Sequence, residues 1–499
     1  MSDTSRQETR TYGNWRKPTS PGLGRLGFAG TAAGIVGLLF MIIVSMFSFK
    51  AALVVGGLIA LALSPLVFRD KHGRNGLKWI VARMAWAQGK AQGQHLYRSG
   101  PLGRIPMGTC KLPGLLATSA LYEAHDAYGR PFAIVTTPST NHHTIVLTCS
   151  ADGASLVDVE QVDVWVAYWG LWLSQIGHEP GIVAASVTIE SAPDTGERLR
   201  SELEFSLHPD APPLAKQVLQ EVTEVYGRGS AQVTTRVALT YSGAARATRA
   251  KRTAQEMAVD LGMRLPGLCN SLQMTGAGPA RPMTGPEMTQ MVRIAYDPTV
   301  APFIERVDAT ARGDLRWDDA GPTATQEGWG YYRHDSAFSV TWAMSEAPRG
   351  EVYSSVLSRL VAPHPDIMRK RVTLLYRPHN PAAAAHLVER DRKDAIFKAR
   401  QSKRGNARDS VAVQAAEQAA REEATGAGLV RFAMLITATV QEAEDVRLAA
   451  SAIDNLTASS RILVRRVYGS QASAFAAALP LGLVLPQHLK VPQSVQEAM

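Results

Sequence analysis

The chain has only three cysteines in 499 residues, Cys110, Cys149 and Cys269. They lie far apart and share no ligand spacing, which excludes a disulfide framework and a zinc site and fits a reduced compartment. No GxxxxGK[ST] loop occurs. The nearest stretch, Gly103 to Lys111, has the wrong spacing and a proline inside it, so P-loop nucleotide hydrolysis has no phosphate cradle. GxSxG, HExxH and EF-hand patterns are also missing, so no catalytic, cofactor-binding or metal-ligating residue is assigned from motifs.

Charge is missing from two long stretches. Leu26 to Phe49 gives 24 uncharged residues and Ala51 to Phe68 gives 18 more. As helices they would be roughly 36 Å and 27 Å long, against a hydrocarbon core of about 30 Å. Small residues stripe both, Gly30-Ala33-Gly34-Gly37 and Gly56-Gly57-Ala60, which favours close helix packing in lipid. The expectation is a transmembrane helical hairpin over 26–68, flanked by Arg25 and Arg69 with Lys50 at the turn. It is too long, and followed too soon by a second run, for a cleaved leader. Basic flanks on both sides place both termini in the cytoplasm and the chain in the inner membrane, with the bilayer as a partner.

Residues 1–110 hold 14 Lys and Arg against 3 Asp and Glu; the remainder holds 39 against 41. The basic balance therefore belongs to the expected membrane surface and excludes a folded, sequence-specific nucleic-acid reader. Residues 1–25 read as a basic, poorly ordered segment. Their Gly22-Leu-Gly-Arg-Leu-Gly27 matches GxGxxG but follows no strand and is set aside. Residues 69–114 read as an amphipathic helix with interfacial Trp79 and Trp86, then a connector with six glycines and three prolines over 89–114.

From about 115 the pattern is α+β. Short apolar strands at Phe132–Thr137 and Thr144–Cys149 precede a helix at Val159–Ile176 and a strand at Ile182–Glu190. A helix at about 211–226, a strand at Gln232–Tyr241 and helices at 254–265 and near 287–295 complete a first module, 115–300. A second, 328–485, has strands at Ala337–Met344, Arg371–Tyr376, Leu429–Val440 and Ile462–Val467, with helices at 350–361, over most of 381–425, and at 442–459. A tail, 486–499, follows. Strands alternating with helices fit ferredoxin-like or related layers. No sequence repeat links the halves.

The histidines carry the remaining chemistry. Adjacent His142 and His143 point to opposite sides of a strand and do not share a metal. His208-Pro-Asp210 and His364-Pro-Asp366 spell HPD, as a J-domain loop does, but Ile367 to Tyr376 runs into a strand and a capped turn is expected. His334-Asp335 has base and orienter without a placed nucleophile and is expected on a solvated turn. Eight Lys and Arg between Arg390 and Arg408 read as a solvated helix face.

Near the end, Gly428-Leu-Val-Arg-Phe-Ala-Met-Leu-Ile-Thr-Ala-Thr-Val440 precedes Val467-Tyr-Gly-Ser-Gln-Ala-Ser-Ala-Phe475 and Ala478-Leu-Pro-Leu-Gly482. This order resembles the close of the amino-terminal, non-ATPase domain of the conjugation ATPases of type IV secretion systems. Gln471, Phe475, Leu479, Pro480 and Gly482 stand at its Gln, Phe and LP-small-G positions. Tyr12-Gly-Asn-Trp-Arg16 with the hairpin looks like the small PrgI-type subunits of the same machines. Gln94 to Arg104, Tyr128 to Phe132 and Arg281 to Met283 resemble an actinobacterial membrane protein family found with conjugative elements.

The resemblance implies a non-enzymatic inner-membrane scaffold of a conjugative DNA-transfer machine, oligomeric and in contact with other membrane subunits. With no Walker loop here, it implies a P-loop ATPase supplied in trans. Two alternatives remain at this point. One is a membrane-core component of a type VII secretion system. The other is a membrane-anchored enzyme using His334-Asp335 or His364.

Overall fold

The computed structural model describes residues 12–13, 15, 27–67, 70, 76–101, 103, 108–151, 153, 156–226, 231–244, 251–310, 315–348, 350–401 and 407–489. Three helices come first: α1 (Gly27–Phe47), α2 (Phe49–Val67) and α3 (Gly76–Ala91). The first half then gives β1 (Leu96–Arg98), β2 (Ala120–His125), β3 (Pro131–Thr137), β4 (His142–Cys149), α4 (Val159–His178) and β5 (Ile182–Pro193). It continues with α5 (Glu197–Ser206), α6 (Pro213–Tyr226), β6 (Ala231–Ser242), α7 (Ala254–Leu272), β7 (Ala280–Pro282), α8 (Gly285–Tyr296) and α9 (Ala301–Thr310).

The second half gives β8 (Ala324–Glu327), β9 (Tyr332–His334), β10 (Ala337–Glu346), α10 (Ser358–Val361), β11 (Arg369–Pro378), α11 (Pro381–Gln401) and α12 (Ala407–Ala424). It closes with β12 (Val430–Val440), α13 (Asp445–Ser459), β13 (Leu463–Arg466) and α14 (Gln471–Ala478).

Among the described residues all thirteen strands join one sheet, in the order β1-β8-β9-β10-β12-β11-β5-β6-β4-β3-β2, every pairing antiparallel. This corrects the expectation of ferredoxin-like or related layers. The halves fuse because β5 and β11 pair over seven residues, Ala185↔Tyr376 to Ser191↔Lys370. About that seam the topology repeats. In the first half β4 is bordered by β6 on one edge and shares its other edge between β3 and β7. In the second, β10 is bordered by β12 and shares its other edge between β9 and β13. Each seam strand is followed by a helical pair, α5–α6 or α11–α12, and then by an inner strand and a helix, α7 or α13. The repeat is invisible in the sequence because packing against a sheet requires only the alternation of apolar residues, not their identity.

One side of the sheet buries two apolar clusters, Ile134, Leu147, Leu239 and Met257 under α4 and α7, and Val340, Ile436, Ile453 and Leu360 under α10 and α13. The opposite side buries Val135, Val146, Met288, Tyr296, Leu435 and the segment Phe475–Leu483. Helix α7 runs through Pro266, beyond its expected end at 265. Proline cannot donate to the carbonyl four residues back, and that carbonyl, Gly262 O, instead accepts from Ala127 N at 3.1 Å. A partner from a neighbouring loop thus removes the usual cost of interior proline. The expected helix at 350–361 is reduced to a short turn and the four-residue α10.

Helices α1 and α2 fold back at Ser48, with Gly37 against Ile59 and Gly56 against Met41. The two-pass anchor is corrected: among the described residues no helix is long and apolar enough to cross a membrane. The two-pass inner-membrane placement with both termini cytoplasmic falls with that anchor. Arg25, Leu26, Phe68 and Arg69 lie outside the described residues, whereas Lys50 sits exposed in the first turn of α2.

The amino-terminal segment is docked where it is described. Tyr12 pairs by its backbone with Val352 and donates its hydroxyl to Asp163 at 2.6 Å. Trp15 packs 6.4 Å from Phe432.

Candidate functional site

The residues of the sequence motif converge on the buried side of the sheet. Gln471, the first residue of α14, is fully buried. Its Oε1 accepts from Thr341 N at 2.8 Å, and its Nε2 donates to Thr341 O and Val467 O at 3.2 and 2.7 Å. Phe475, one turn on, stands 4.8 to 5.4 Å from the rings of His334, Tyr296 and Tyr332. Leu479 and Pro480 are buried beyond it.

Beneath this segment the sheet presents hydroxyls in register. Ser339–Thr439, Thr341–Thr437, Thr188–Thr373 and Thr144–Thr240 pair across neighbouring strands at 2.7 to 3.3 Å. Two of them also donate upward, Thr373 to Ala478 O at 2.7 Å and Thr240 to Gly482 O at 3.4 Å. Gly482 has φ +70, and a Cβ there would stand 2.1 Å from Thr144 Oγ1 and 2.2 Å from Thr240 Oγ1. The small residue ending the motif is thus imposed by both backbone conformation and space.

His334 is fully buried, correcting the expected solvated turn. Its Nδ1 lies 2.5 Å from Tyr296 O and its Nε2 2.8 Å from Ser339 Oγ. Burial pushes its pKa down to about 4, so it stands neutral. Asp335 points elsewhere, accepting from Thr323 N and Oγ1, Ala324 N and Arg293 Nη1 at 2.6 to 3.0 Å. Base and orienter are not paired, and both are consumed in holding neighbouring backbone.

His142 and His143 lie in β4, both buried. Burial, with His488 and His143 nearby, lowers His142 to about 4. Among the described residues no group of three His, Cys, Asp or Glu side chains could hold a metal ion. In the two HPD turns, Asp210 N donates to His208 Nδ1 at 3.2 Å and Asp366 N to His364 Nδ1 at 3.3 Å. The same three residues thus build the same local turn twice. Two shallow depressions, of about 390 and 270 Å3, lie beside Trp317 and Tyr97.

Trp86 packs edge-on against Trp329 at 5.4 Å, with Arg83 over both rings at 5.1 and 4.6 Å. Trp329 in turn stacks on Tyr468 at 5.9 Å. This ladder fastens α3 to the sheet. Trp79 is exposed. On the hairpin, Ile35, Leu39, Ile43, Phe47, Phe49 and Leu53 are all about half exposed or more. An apolar surface of this extent marks an interaction surface.

One cluster gave no motif signal. Glu190 on β5 meets Arg371 and Arg369 on β11 and Arg236 on β6. Burial alone would raise its carboxyl, but the charges of Arg371, Arg369 and Arg236 outweigh that and hold it far below the usual range. The alternation Arg369-Lys-Arg371 in a strand was the available signal.

A family described as a domain of unknown function (DUF8461) matches residues 19–78, the hairpin and the start of α3. No curated protein matches the chain. Neither result speaks to secretion or conjugation, and the transmembrane reading of the hairpin is withdrawn.

Proposed function

We propose that the chain is a non-enzymatic docking subunit of a conjugative type IV secretion machine, working by protein contact with a separate P-loop ATPase and other subunits of that machine. The observation that carries this reading is the closing segment. Among the residues of the resemblance, Gln471 is fixed by hydrogen bonding, Phe475 by ring packing and Gly482 by steric need, with Leu479 and Pro480 buried beside them. A resemblance at positions so constrained supports the reading. Support for a non-catalytic role comes from three buried acid–base groups that are engaged in holding the fold: Glu190 with three arginines, His334 with Tyr296 O and Ser339, and Asp335 with Arg293 and Thr323.

The test is affinity purification of the tagged full chain from its native host, with partners identified by mass. Co-recovery of a conjugation-family ATPase is the expected result. Recovery with type VII components, or of the chain alone, overturns the docking assignment. Nucleotide hydrolysis by the purified chain overturns the non-enzymatic one.

A further inference from the structure

The seam between the two halves carries an unbalanced charge. Arg371 stands directly opposite Glu190 across the β5–β11 pairing, and Arg369 lies two residues along the same face. Arg236 comes from the other side, on β6, where its own partner across the strands is Thr188. Arg371 Nη2 and Arg369 Nε donate to Glu190 Oε1 at 3.0 and 3.2 Å. Arg236 Nη1 donates to Glu190 Oε2 at 3.4 Å and to Thr234 Oγ1 at 2.9 Å. Three guanidinium groups therefore share one carboxylate. Glu287, whose charge also reaches Arg236, is held in a two-bonded pair by Arg281 at 2.7 and 3.0 Å.

Donors are left over as well as charge. The Nε atoms of Arg371 and Arg236 are buried without a hydrogen-bond partner, and Arg371 is only 5% exposed. Buried cations without matching anions are unfavourable, as are buried donors without acceptors. Arg236 and Arg369 keep 15% and 17% of their side chains exposed, so the cluster opens to solvent along one edge. Planar forks converging from three directions match the oxygens of a tetrahedral dianion better than those of a single flat carboxylate.

We propose that Arg236, Arg369 and Arg371 form a binding site for a phosphate group at the junction of the two halves, with Glu190 as the fixed counter-charge that holds the three side chains in place. A dianionic phosphate balances the two surplus charges and supplies acceptors for the idle Nε donors. The site adjoins the closing segment, since the Arg371 guanidinium lies 5.6 Å from the Phe475 ring centre, but its test reads phosphate binding and is decided separately from the docking proposal.

The test uses the purified full chain and inorganic phosphate as probe, by calorimetric titration and thermal melting at constant ionic strength. The expected result is saturable binding and a melting temperature raised by phosphate but not by an equal ionic strength of chloride. Arg369→Gln, at the most accessible of the three, should weaken binding at least tenfold, and Arg369→Lys, which keeps charge without the fork, by less. Should Arg369→Gln fold poorly, Arg236→Gln serves the same purpose. Equal effects of phosphate and chloride, or undiminished binding by a folded Arg→Gln variant, overturn the proposal. Competition by a nucleoside monophosphate for the bound phosphate assigns the site to a phosphomonoester, and failure to compete assigns it to the free ion.

Discussion

Gln471 is bonded to Thr341 as a neighbouring strand would be: its side-chain carbonyl takes the Thr341 N–H and its amide nitrogen serves the Thr341 C=O. One amide side chain thus caps both polar groups of a residue in β10, and a third bond to Val467 O fixes the start of α14. The segment that seals the sheet is therefore held at its first residue. Gln471→Ala leaves Thr341 N–H unpaired in a dry site, and a loss of about 2 kcal/mol is expected in urea unfolding. Gln471→Glu should lose more, because it keeps the acceptor, removes both donors and buries a charge. Equal stability of both variants with the parent would refute the capping role.

Gly482→Ala tests the other end. Positive φ in a non-glycine residue costs about 1 to 2 kcal/mol by itself. Contact with the Thr144 and Thr240 hydroxyls adds to it. Thr144→Ala in the same chain should return part of the loss, the steric part, and leave the backbone part. No recovery in the double variant would mean that the hydroxyls are not what the added methyl meets.

Acid should weaken the fold before its carboxylates titrate. His334 and His142 both have folded values of about 4 against 6.5 in the unfolded chain. Below pH 6.5 the unfolded chain takes up the protons first, so stability is full above that pH and falls as the pH drops toward 4. Each group can contribute of order 3 kcal/mol over that window. Unfolding free energies measured between pH 4 and 7.5 should slope accordingly, and the slope should shrink in His334→Asn. A flat profile would mean that neither histidine is buried neutral.

Trp329→Ala removes the shared ring of the α3 ladder. Loss of the edge-on contact with Trp86 and of the Arg83 cation–ring contact is worth about 1 to 3 kcal/mol together. Because those contacts join α3 to the sheet, faster proteolysis within 76–91 is expected while the rest of the chain keeps its resistance. Uniform sensitivity along the chain would place Trp329 in the general core instead.

Much of the fold was legible because strand alternation and helix periodicity are local. Phe132–Thr137, Val159–Ile176 and Gln232–Tyr241 lie within observed elements. What escaped depends on distant partners. Nothing local tells Arg371 that it will face Glu190 across 181 positions, so the joining of the halves in one sheet leaves no local signal. Pro266 reads as a stop until the Ala127 N–H that replaces its missing bond is known. The motif residues were found in the sequence, but their purpose was not: Gln471 and Gly482 are legible as a pattern and intelligible only beside Thr341 and Thr144. The apolar runs of the hairpin were visible at once, and both form helices, Gly27–Phe47 and Phe49–Val67.

The position of β12 bears on how the molecule comes into being. It lies between β10 and β11, both of which leave the ribosome before it. Until residues 430–440 emerge, two long strands each carry an open row of backbone donors and acceptors in the middle of the future sheet. The opposite side stays uncovered longer still, until Phe475–Leu483 arrive. The nascent chain thus has no half that can be finished early, and its vulnerable interval, when sticky edges and bare apolar surface coexist, lasts until residues 475–483 have been made.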